Sequence, residues 1–183
     1  PAAVLWAIIY FHWPESKVLL PKYGEKMPLL TRFIDDICAV VLVGGEDGLQ
    51  PNEWNDVKND LNNHGILKWI IQEPSMAVDD LGITITIEDG CVFTKTYQKP
   101  TNLYQYITPN SAHPPWMIKG IIISMLRTYF YQNTRRNDYW DIATKFYVRL
   151  RERGWKRETL EPIFVTAHNK FVSQPENLKP TQN

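Results

Sequence analysis

The sequence predicts an α+β fold, with strands in the first part of the chain and helices in the second. Residues 81–97 alternate apolar and polar side chains with a period of two, which is typical of strands. Residues 118–150 instead place apolar side chains at helical spacing. The chain has 183 residues, 44% of them hydrophobic, and this is enough to bury a core as one domain or as two small ones.

The first predicted element is a buried helix over Ala2–Phe11, a stretch with no polar break. Pro14 is predicted to end this helix, and the proline and glycine residues up to position 28 predict a connector. The chain begins at Pro1 rather than at Met and runs directly into an apolar stretch. We therefore expect it to be a piece of a longer protein.

The segment Leu29–Val43 predicts two strands joined by a hairpin. Two apolar runs rich in β-formers flank a single acidic pair, Asp35 and Asp36. Aspartate tolerates turn conformations, so the pair is expected at or beside the hairpin turn.

A helix and further strands are predicted next. Asn52–Asn63 predicts a helix with Asn52 as its N-cap, and Ile66–Ile71 predicts a short strand. Within residues 81–97, two alternating runs meet at the dipeptide Asp89-Gly90. Asp-Gly in this setting predicts a hairpin with a type I′ turn, which needs positive φ at both central residues.

Beyond a loop over residues 99–115 the pattern becomes helical. Apolar spacing predicts helices over residues 118–129, 137–150 and about 158–167. Pro162 falls inside the third of these, where it either bends the helix or marks its true start.

A composition shift near residue 100 divides the chain into three predicted regions, namely strands (1–100), helices (101–171) and a polar, disordered tail (172–183). The charges divide at the same place. The formal net charge is zero, which taken alone argues against a nucleic-acid binder. However, residues 1–100 hold 8 Lys+Arg against 14 Asp+Glu, and the remainder holds 12 against 6, so −6 and +6 cancel.

Cysteine use and hydropathy limit the location. Cys38 and Cys91 lie in apolar runs, which predicts two buried thiols in a reducing, intracellular compartment, either nucleus or cytoplasm. Two cysteines make neither a disulfide framework nor a zinc site. No segment is a good candidate for a membrane span, and no membrane partner is expected.

Ten basic residues lie between Lys119 and Arg157, opposed by three acidic ones. A solvated helical surface explains this pattern, and so does a surface that binds phosphates. Aromatic rings beside arginines can also stack on unpaired bases. Five rings are interleaved with the basic residues, although most of them are also needed for a core: Tyr129, Tyr131, Trp140, Tyr147 and Trp155.

The acidic pair suggests chemistry beyond a turn. Adjacent carboxylates repel each other, and a cation between them relieves the repulsion. Mg²⁺ (or Mn²⁺) suits this position, because it takes hard oxygen ligands and keeps substrate phosphates in its shell. Two such ions about 4 Å apart can activate a 3′-hydroxyl and stabilise the leaving pyrophosphate in nucleotidyl transfer.

The motif Phe33-Ile34-Asp35-Asp36 resembles the aromatic-x-Asp-Asp motif in the palm of reverse transcriptases. Residues 80–85 and 97–101 resemble a hairpin and a Lys-Pro-Thr signature of Penelope-like and related non-LTR retroelement polymerases, and residues 109–114 continue it. Residues 149–155 resemble the helix-turn-helix unit that follows the palm there. The resemblance implies an antiparallel palm-type sheet with packed helices, followed by a small all-helical, thumb-like region.

The resemblance also implies an RNA-directed DNA polymerase, with an RNA template, a DNA primer and deoxynucleotide triphosphates as partners. Asp35 and Asp36 would be catalytic and would bind Mg²⁺ or Mn²⁺. Phe33 would pack under the primer end, and Lys95 and Lys99 would contact primer phosphates. Further nucleic-acid contacts are implied for Arg127, Arg135, Arg136, Arg149, Arg151, Arg153 and Lys156.

The sequence departs from the family in two respects. No residue can be assigned to the family's first palm carboxylate, and the fingers are missing, so we expect this chain alone to be inactive. Two other interpretations stay open. One is a non-catalytic nucleic-acid-binding helix-turn-helix module, and the other is an interaction domain in which the charge split serves self-association.

Overall fold

A computed structural model describes residues 2–172, and the chain forms two compact units, Pro1–Ser75 and Met76–Asn183. Helices and two small antiparallel sheets make up the described part, which confirms the predicted α+β class. The boundary between the two units falls between residues 75 and 76 of the chain, whereas the amino-acid composition changes near residue 100. The predicted strand pair over residues 81–97 therefore belongs to the same unit as the helices that follow it.

The first helix is longer than predicted. Helix α1 (Ala2–Pro14) continues through a π-helical turn (Glu15–Leu19) into helix α2 (Leu20–Tyr23) and a 3₁₀ turn (Gly24–Lys26). Helix α1 ends at Pro14, as predicted, but the residues after it stay helical, so the prediction of an irregular connector there is wrong. Proline offers no N–H to the preceding turn, and the π-helical turn that follows it moves the hydrogen bonding to the wider i→i+5 pattern.

The predicted burial of the first helix is also wrong. Leu5, Trp6 and Ile9 are 61%, 69% and 63% exposed. The apolar side chains of α1 project from all faces of the helix, so they cannot all pack against the same neighbouring elements. The core of the first unit lies further along the chain, and its buried members are Leu19, Tyr23, Met27, Leu49 and Val57.

Strands β1 (Leu29–Phe33) and β2 (Asp36–Val40) form an antiparallel hairpin, which confirms the prediction. The pairing runs from Leu29 opposite Val40 to Phe33 opposite Asp36. We call residues 29–40 the acidic hairpin.

Helix α3 (Pro51–Asn62) confirms the predicted helix, but Gln50 caps it rather than Asn52. The Gln50 backbone N–H donates to the Glu53 carboxylate at 2.8 Å, and the pair forms a capping box. The strand predicted over Ile66–Ile71 does not form. Ile66 and Ile70 are 92% and 99% exposed, and the described part of the chain offers this segment no strand to pair with.

The sheet of the second unit contains β3 (Ala77–Asp80), β4 (Ile83–Glu88) and β5 (Cys91–Thr96) in that order. The turn between β4 and β5 has φ of 50° at Asp89 and 74° at Gly90, which confirms the predicted type I′ turn. Strand β3 was not predicted. Leu81 was predicted to lie in a strand, whereas Leu81 and Gly82 form a second turn with positive φ at both positions.

Three helices complete the second unit, α4 (Met117–Gln132), α5 (Arg136–Glu152) and α6 (Arg157–Val172). All three predicted helices are confirmed, and Pro162 lies inside α6 rather than at its start. Ile122, Leu126, Phe146, Leu150 and Leu160 form the centre of the core, each at most 1% exposed.

The β4–β5 ribbon is fastened to the α4–α5 connection by polar contacts. The buried Asn133 side chain accepts the Thr96 backbone N–H at 2.9 Å and donates to the Thr96 hydroxyl at 2.8 Å. It also donates to the Tyr129 carbonyl at 2.6 Å. Beside it, the Thr94 backbone N–H donates to the Thr134 hydroxyl at 2.9 Å. We call these contacts the Asn133 network.

The two cysteines form no disulfide, and the prediction that both are buried is wrong. Cys91 is exposed because it follows the Asp89-Gly90 turn directly, and Cys38 is half-buried in β2. Between residues 2 and 172, none of the helices combines the length and the apolar character that crossing a bilayer requires.

Candidate functional site

The turn of the acidic hairpin has an unusual backbone. Ile34 and Asp35 are its two central residues, between the paired Phe33 and Asp36. Ile34 has φ of 60°, and Asp35 is not among the residues with positive φ, which matches a type II′ turn. Glycine is the usual residue at the first central position. A β-branched side chain there is strained, at a cost of order 1–3 kcal/mol.

The two carboxylates of this turn are free to bind a cation. Asp35 occupies the second central position and Asp36 is the first residue of β2, and both are exposed. Over the described range, no hydrogen bond or ion pair reaches either carboxylate. Phe33 at the end of β1 is 58% exposed, so an apolar ring lies beside the acidic pair.

Arg32 joins the acidic hairpin to the first helical segment. Its guanidinium forms an ion pair with Glu15, and the two side chains are only 11% and 12% exposed. It also donates to the Ile34 carbonyl at 3.1 Å and to the Ile8 carbonyl at 3.4 Å, and it lies 5.8 Å from the centre of the Phe11 ring. One side chain therefore fixes the strained turn against α1 and the π-helical turn.

Neither Glu15 nor Arg32 was predicted to be a functional residue. Their partnership spans 17 positions, and neither residue lies in a recognisable motif. The available signal was weak. Arg32 sits next to the aromatic-x-Asp-Asp motif in a strand with no other charged residue, where an unpaired charge would be costly.

The donor chemistry fits Mg²⁺ or Mn²⁺ as part of a site. Mg²⁺ is commonly held by one or two carboxylates together with waters and substrate phosphates, and Asp35 and Asp36 supply such a pair. Among residues 2–172, no group of three or more His, Cys, Asp and Glu side chains is arranged to hold a metal ion. The acidic hairpin is thus a partial donor set that needs oxygen atoms from a substrate or from elsewhere.

The resemblance implies ten nucleic-acid contacts in addition to the metal-binding pair Asp35 and Asp36, and these ten residues divide unevenly between the two units. Phe33 shares the first unit with the acidic pair, and all the basic ones lie in the second. Five of these are exposed, and their side chains make no described ion pair or hydrogen bond: Lys95, Lys99, Arg127, Arg136 and Lys156. Lys95 projects from β5 opposite Thr84, and Arg127 lies 5.8 Å from the Tyr131 ring centre within α4.

Arg135 and Arg153 have structural partners. Arg135 pairs with Glu88, and its guanidinium lies 4.0 Å from the Phe93 ring centre, so it helps to fasten the β4–β5 ribbon. Arg153 donates to the Tyr106 carbonyl at 3.0 Å. A guanidinium carries five N–H donors, so these contacts leave some of them free for phosphate oxygens.

Arg149 and Arg151 also engage the chain around the end of α5. Arg151 donates to the Trp155 carbonyl at 2.8 Å. Arg149 lies 4.2 Å from the Tyr104 ring centre. Burial raises the pKa of the Tyr104 hydroxyl and the nearby Arg149 charge opposes that shift. Burial likewise raises the pKa of Tyr129, so both phenols stay neutral near pH 7.

A further cluster joins α5 to α6. The Tyr139 hydroxyl hydrogen-bonds His168 Nδ1 at 3.2 Å, and burial raises the pKa of Tyr139 to about 12. Burial, with a smaller contribution from the Arg136 charge, lowers the pKa of His168. The Trp140 ring lies 4.4 Å from the His168 ring. The contacts of His168 were not predicted from the sequence.

Comparisons of this chain with protein-family models, with curated proteins and with solved structures found no match. The geometry of the acidic hairpin and of the basic second unit is therefore the evidence on which a function can be argued.

Proposed function

We propose that this chain is the palm and thumb-like portion of an RNA-directed DNA polymerase. The observation that carries the proposal is the acidic hairpin, where two exposed carboxylates without described partners sit on a turn held by Arg32. The acidic hairpin and the helices of its unit would be part of a palm-type fold. Helices α4–α6 would form a helix-turn-helix region in the place of a thumb.

The roles of the chain's own residues follow from their exposure. Asp35 and Asp36 would bind the cation through carboxylate oxygens that nothing in residues 2–172 engages. The Mg²⁺ or Mn²⁺, when bound, would supply positive charge for the attacking hydroxyl and for the leaving pyrophosphate. Phe33 would offer an apolar surface to the primer end. Arg32 and Glu15 would keep the carboxylates at a fixed distance from α1.

The second unit would hold the nucleic acid. Residues 76–183 carry 14 Lys+Arg against 10 Asp+Glu, so this unit is net basic while the unit with the carboxylates is net acidic. Phosphate contacts by lysine and arginine position a nucleic acid without reading its sequence. An RNA template paired with a DNA primer is the partner that the proposal requires, with deoxynucleotide triphosphates as substrates.

The metal assignment is tested by titrating the full chain with Mn²⁺ and counting bound ions by electron paramagnetic resonance. We expect Asp35→Asn with Asp36→Asn to abolish one class of bound Mn²⁺. The matched control is Glu46→Gln with Asp47→Asn, which neutralises another exposed, adjacent acidic pair in the same unit. Equal Mn²⁺ binding by the wild type and the Asp35/Asp36 variant would refute the metal site.

Catalysis is tested by primer extension on an RNA template with Mg²⁺. We expect no extension by this chain alone, because the first palm carboxylate of the family has no counterpart in it. Joined to a chain that supplies the fingers and that carboxylate, it should support extension, and Asp35→Asn should then abolish it. Extension that survives Asp35→Asn would remove the catalytic role of this residue.

The second candidate function is a non-catalytic nucleic-acid-binding module. The observation that favours it is the two-carboxylate donor set, which is incomplete for a two-metal site within the described part of the chain. In this case the acidic hairpin serves as a scaffold. Salt-dependent binding of nucleic acid without Mn²⁺ binding at Asp35 and Asp36 would favour this function over the polymerase.

A further inference from the structure

Helix α5 carries one continuous stripe of residues on its flank beside α6, where Trp140 contacts the His168 ring and Tyr147 contacts the Phe164 ring. The spacing of four, four, three and four positions places these side chains above one another along the helix. We call them the α5 stripe, and its five members are Arg136, Trp140, Thr144, Tyr147 and Arg151. None of them is acidic. Arg136, Thr144 and Arg151 are polar and exposed. The two aromatic members, Trp140 and Tyr147, keep part of their rings accessible to solvent.

The aromatic rings of the second unit differ in whether they are exposed enough to stack on a ligand. Tyr129 is 2% exposed and belongs to the core. Trp155 donates its indole N–H to the Ile107 carbonyl at 2.8 Å. Trp140, by contrast, is 44% exposed although it lies on the same helix as five core residues.

Trp140 is also held in place. Its ring lies 4.4 Å from the His168 ring and 5.3 Å from the Tyr139 ring, measured between centres. Tyr139 and His168 are in turn joined by the hydrogen bond between α5 and α6. A half-exposed indole supported in this way presents an aromatic surface at low conformational cost. Such a surface is suited to stacking against another flat ring.

The ends of the α5 stripe are cationic. Arg136 and Arg151 are both exposed and stand 15 positions apart, which corresponds to about 22 Å along the helix. Arg151 donates one N–H to the Trp155 carbonyl, and its other guanidinium N–H groups remain available for a phosphate. An aromatic surface flanked by two cations is complementary to a strand whose bases are unpaired and whose backbone is anionic, and the spacing fits a site of several nucleotides.

We propose that the α5 stripe binds single-stranded nucleic acid, with one base stacked on Trp140 and backbone phosphates at Arg136 and Arg151. This inference rests on the proposed function, in which the second unit binds nucleic acid. It adds that the form bound at the α5 stripe is single-stranded. A duplex has no unpaired base to offer Trp140, so it would meet only the arginines.

The test measures binding of a fluorescently labelled oligothymidylate to the full chain by anisotropy. We expect Trp140→Ala to weaken binding by about 5- to 100-fold, the loss of one base–aromatic stack. Trp140→Phe keeps a ring and should retain most of the affinity. The matched control is Trp116→Ala, since Trp116 is 73% exposed in the same unit and lies outside the α5 stripe. It should bind as the wild type does.

Salt dependence separates the arginines from the ring. Arg136→Gln with Arg151→Gln should reduce the slope of log affinity against log salt by about 1.4, whereas Trp140→Ala should leave the slope unchanged. If Trp140→Ala binds oligothymidylate like the wild type, the α5 stripe is not the site. If duplex still binds in that case, the proposed function survives and this inference alone falls. If neither form binds, the nucleic-acid partner falls as well.

Discussion

The Arg32 guanidinium pairs with the Glu15 carboxylate and, from the same side chain, donates a hydrogen bond to the Ile34 carbonyl in the turn of the acidic hairpin. The ion pair is almost nine-tenths buried on both sides. It therefore links two segments of the first unit that lie 17 positions apart in the sequence. Any function of Asp35 and Asp36 depends on a turn whose position this pair determines.

Removing one member of this pair should destabilise the acidic hairpin. We expect Glu15→Gln to cost about 3 kcal/mol, because it leaves the Arg32 charge largely buried without its partner. Segment-resolved amide hydrogen exchange over residues 29–40 measures the change. The double variant Glu15→Met with Arg32→Met removes both charges and should cost clearly less than Glu15→Gln. A loss that is the same for both variants would show that packing, rather than charge pairing, holds the hairpin.

The strained turn predicts a stabilising substitution. Ile34→Gly should increase the stability of the acidic hairpin by up to about 1 kcal/mol, because glycine adopts positive φ without steric cost. The gain is limited by the larger freedom that glycine has in the unfolded chain. Hydrogen exchange of the β1–β2 amides is the measurement. Ile34→Val keeps the branched side chain and should give no gain, so a gain from Ile34→Val would contradict the strain argument.

The buried amide of Asn133 should be among the most sensitive positions of the second unit. Asn133→Ala removes three hydrogen bonds and leaves the Thr96 N–H and the Tyr129 carbonyl without this partner. We expect a loss of about 2–3 kcal/mol in the free energy of unfolding, measured by urea denaturation. The control is Asn137→Ala, an exposed position on α5 with no described side-chain partner. Similar losses for the two variants would rule out the network as the cause.

The lowered pKa of His168 predicts a pH dependence. The unfolded histidine titrates near its ordinary value of about 6.5, so just below this pH the unfolded state binds more protons than the folded one. This contribution to stability is complete above about pH 6.5 and is lost as the pH falls towards the folded pKa. Hydrogen exchange of α5 and α6 at about pH 7.5 and about pH 5.5 measures the loss.

The comparison with His168→Gln isolates this residue from the other titrating groups. Glutamine keeps a hydrogen-bonding side chain for Tyr139 but does not gain charge in this range. We expect the wild type to lose more protection than His168→Gln when the pH is lowered. An equal loss in both proteins would mean that other groups carry the dependence.

Local signals predicted the elements that depend on local physics. The Asp89-Gly90 turn and the helices α4, α5 and α6 follow from turn chemistry and from side-chain spacing, and all of them are confirmed. The acidic hairpin is confirmed for the same reason, since two β-prone runs flank its turn. What could be predicted of the candidate site was therefore the placement of Asp35 and Asp36 at a hairpin turn.

The errors arise where structure depends on distant partners. Ile66–Ile71 has the composition of a strand, but a strand also needs a neighbour, and Ile70 remains 99% exposed. Pro14 ends α1 as expected, but the π-helical turn after it cannot be predicted from local sequence. Arg32 gained a role only through Glu15 and Ile34, because an ion pair across the fold leaves no periodic signal.

The Asn133 network determines where the chain can be divided for separate expression. A piece that begins at residue 101 would lack Thr94 and Thr96. The Asn133 side chain would then lose its hydrogen bonds to Thr96, and Thr134 would lose its hydrogen bond from Thr94. A piece that begins at Met76 keeps the β4–β5 ribbon together with the helices it is bonded to. We expect the second piece to yield a folded, protease-resistant product and the first to be degraded, although both contain all three helices.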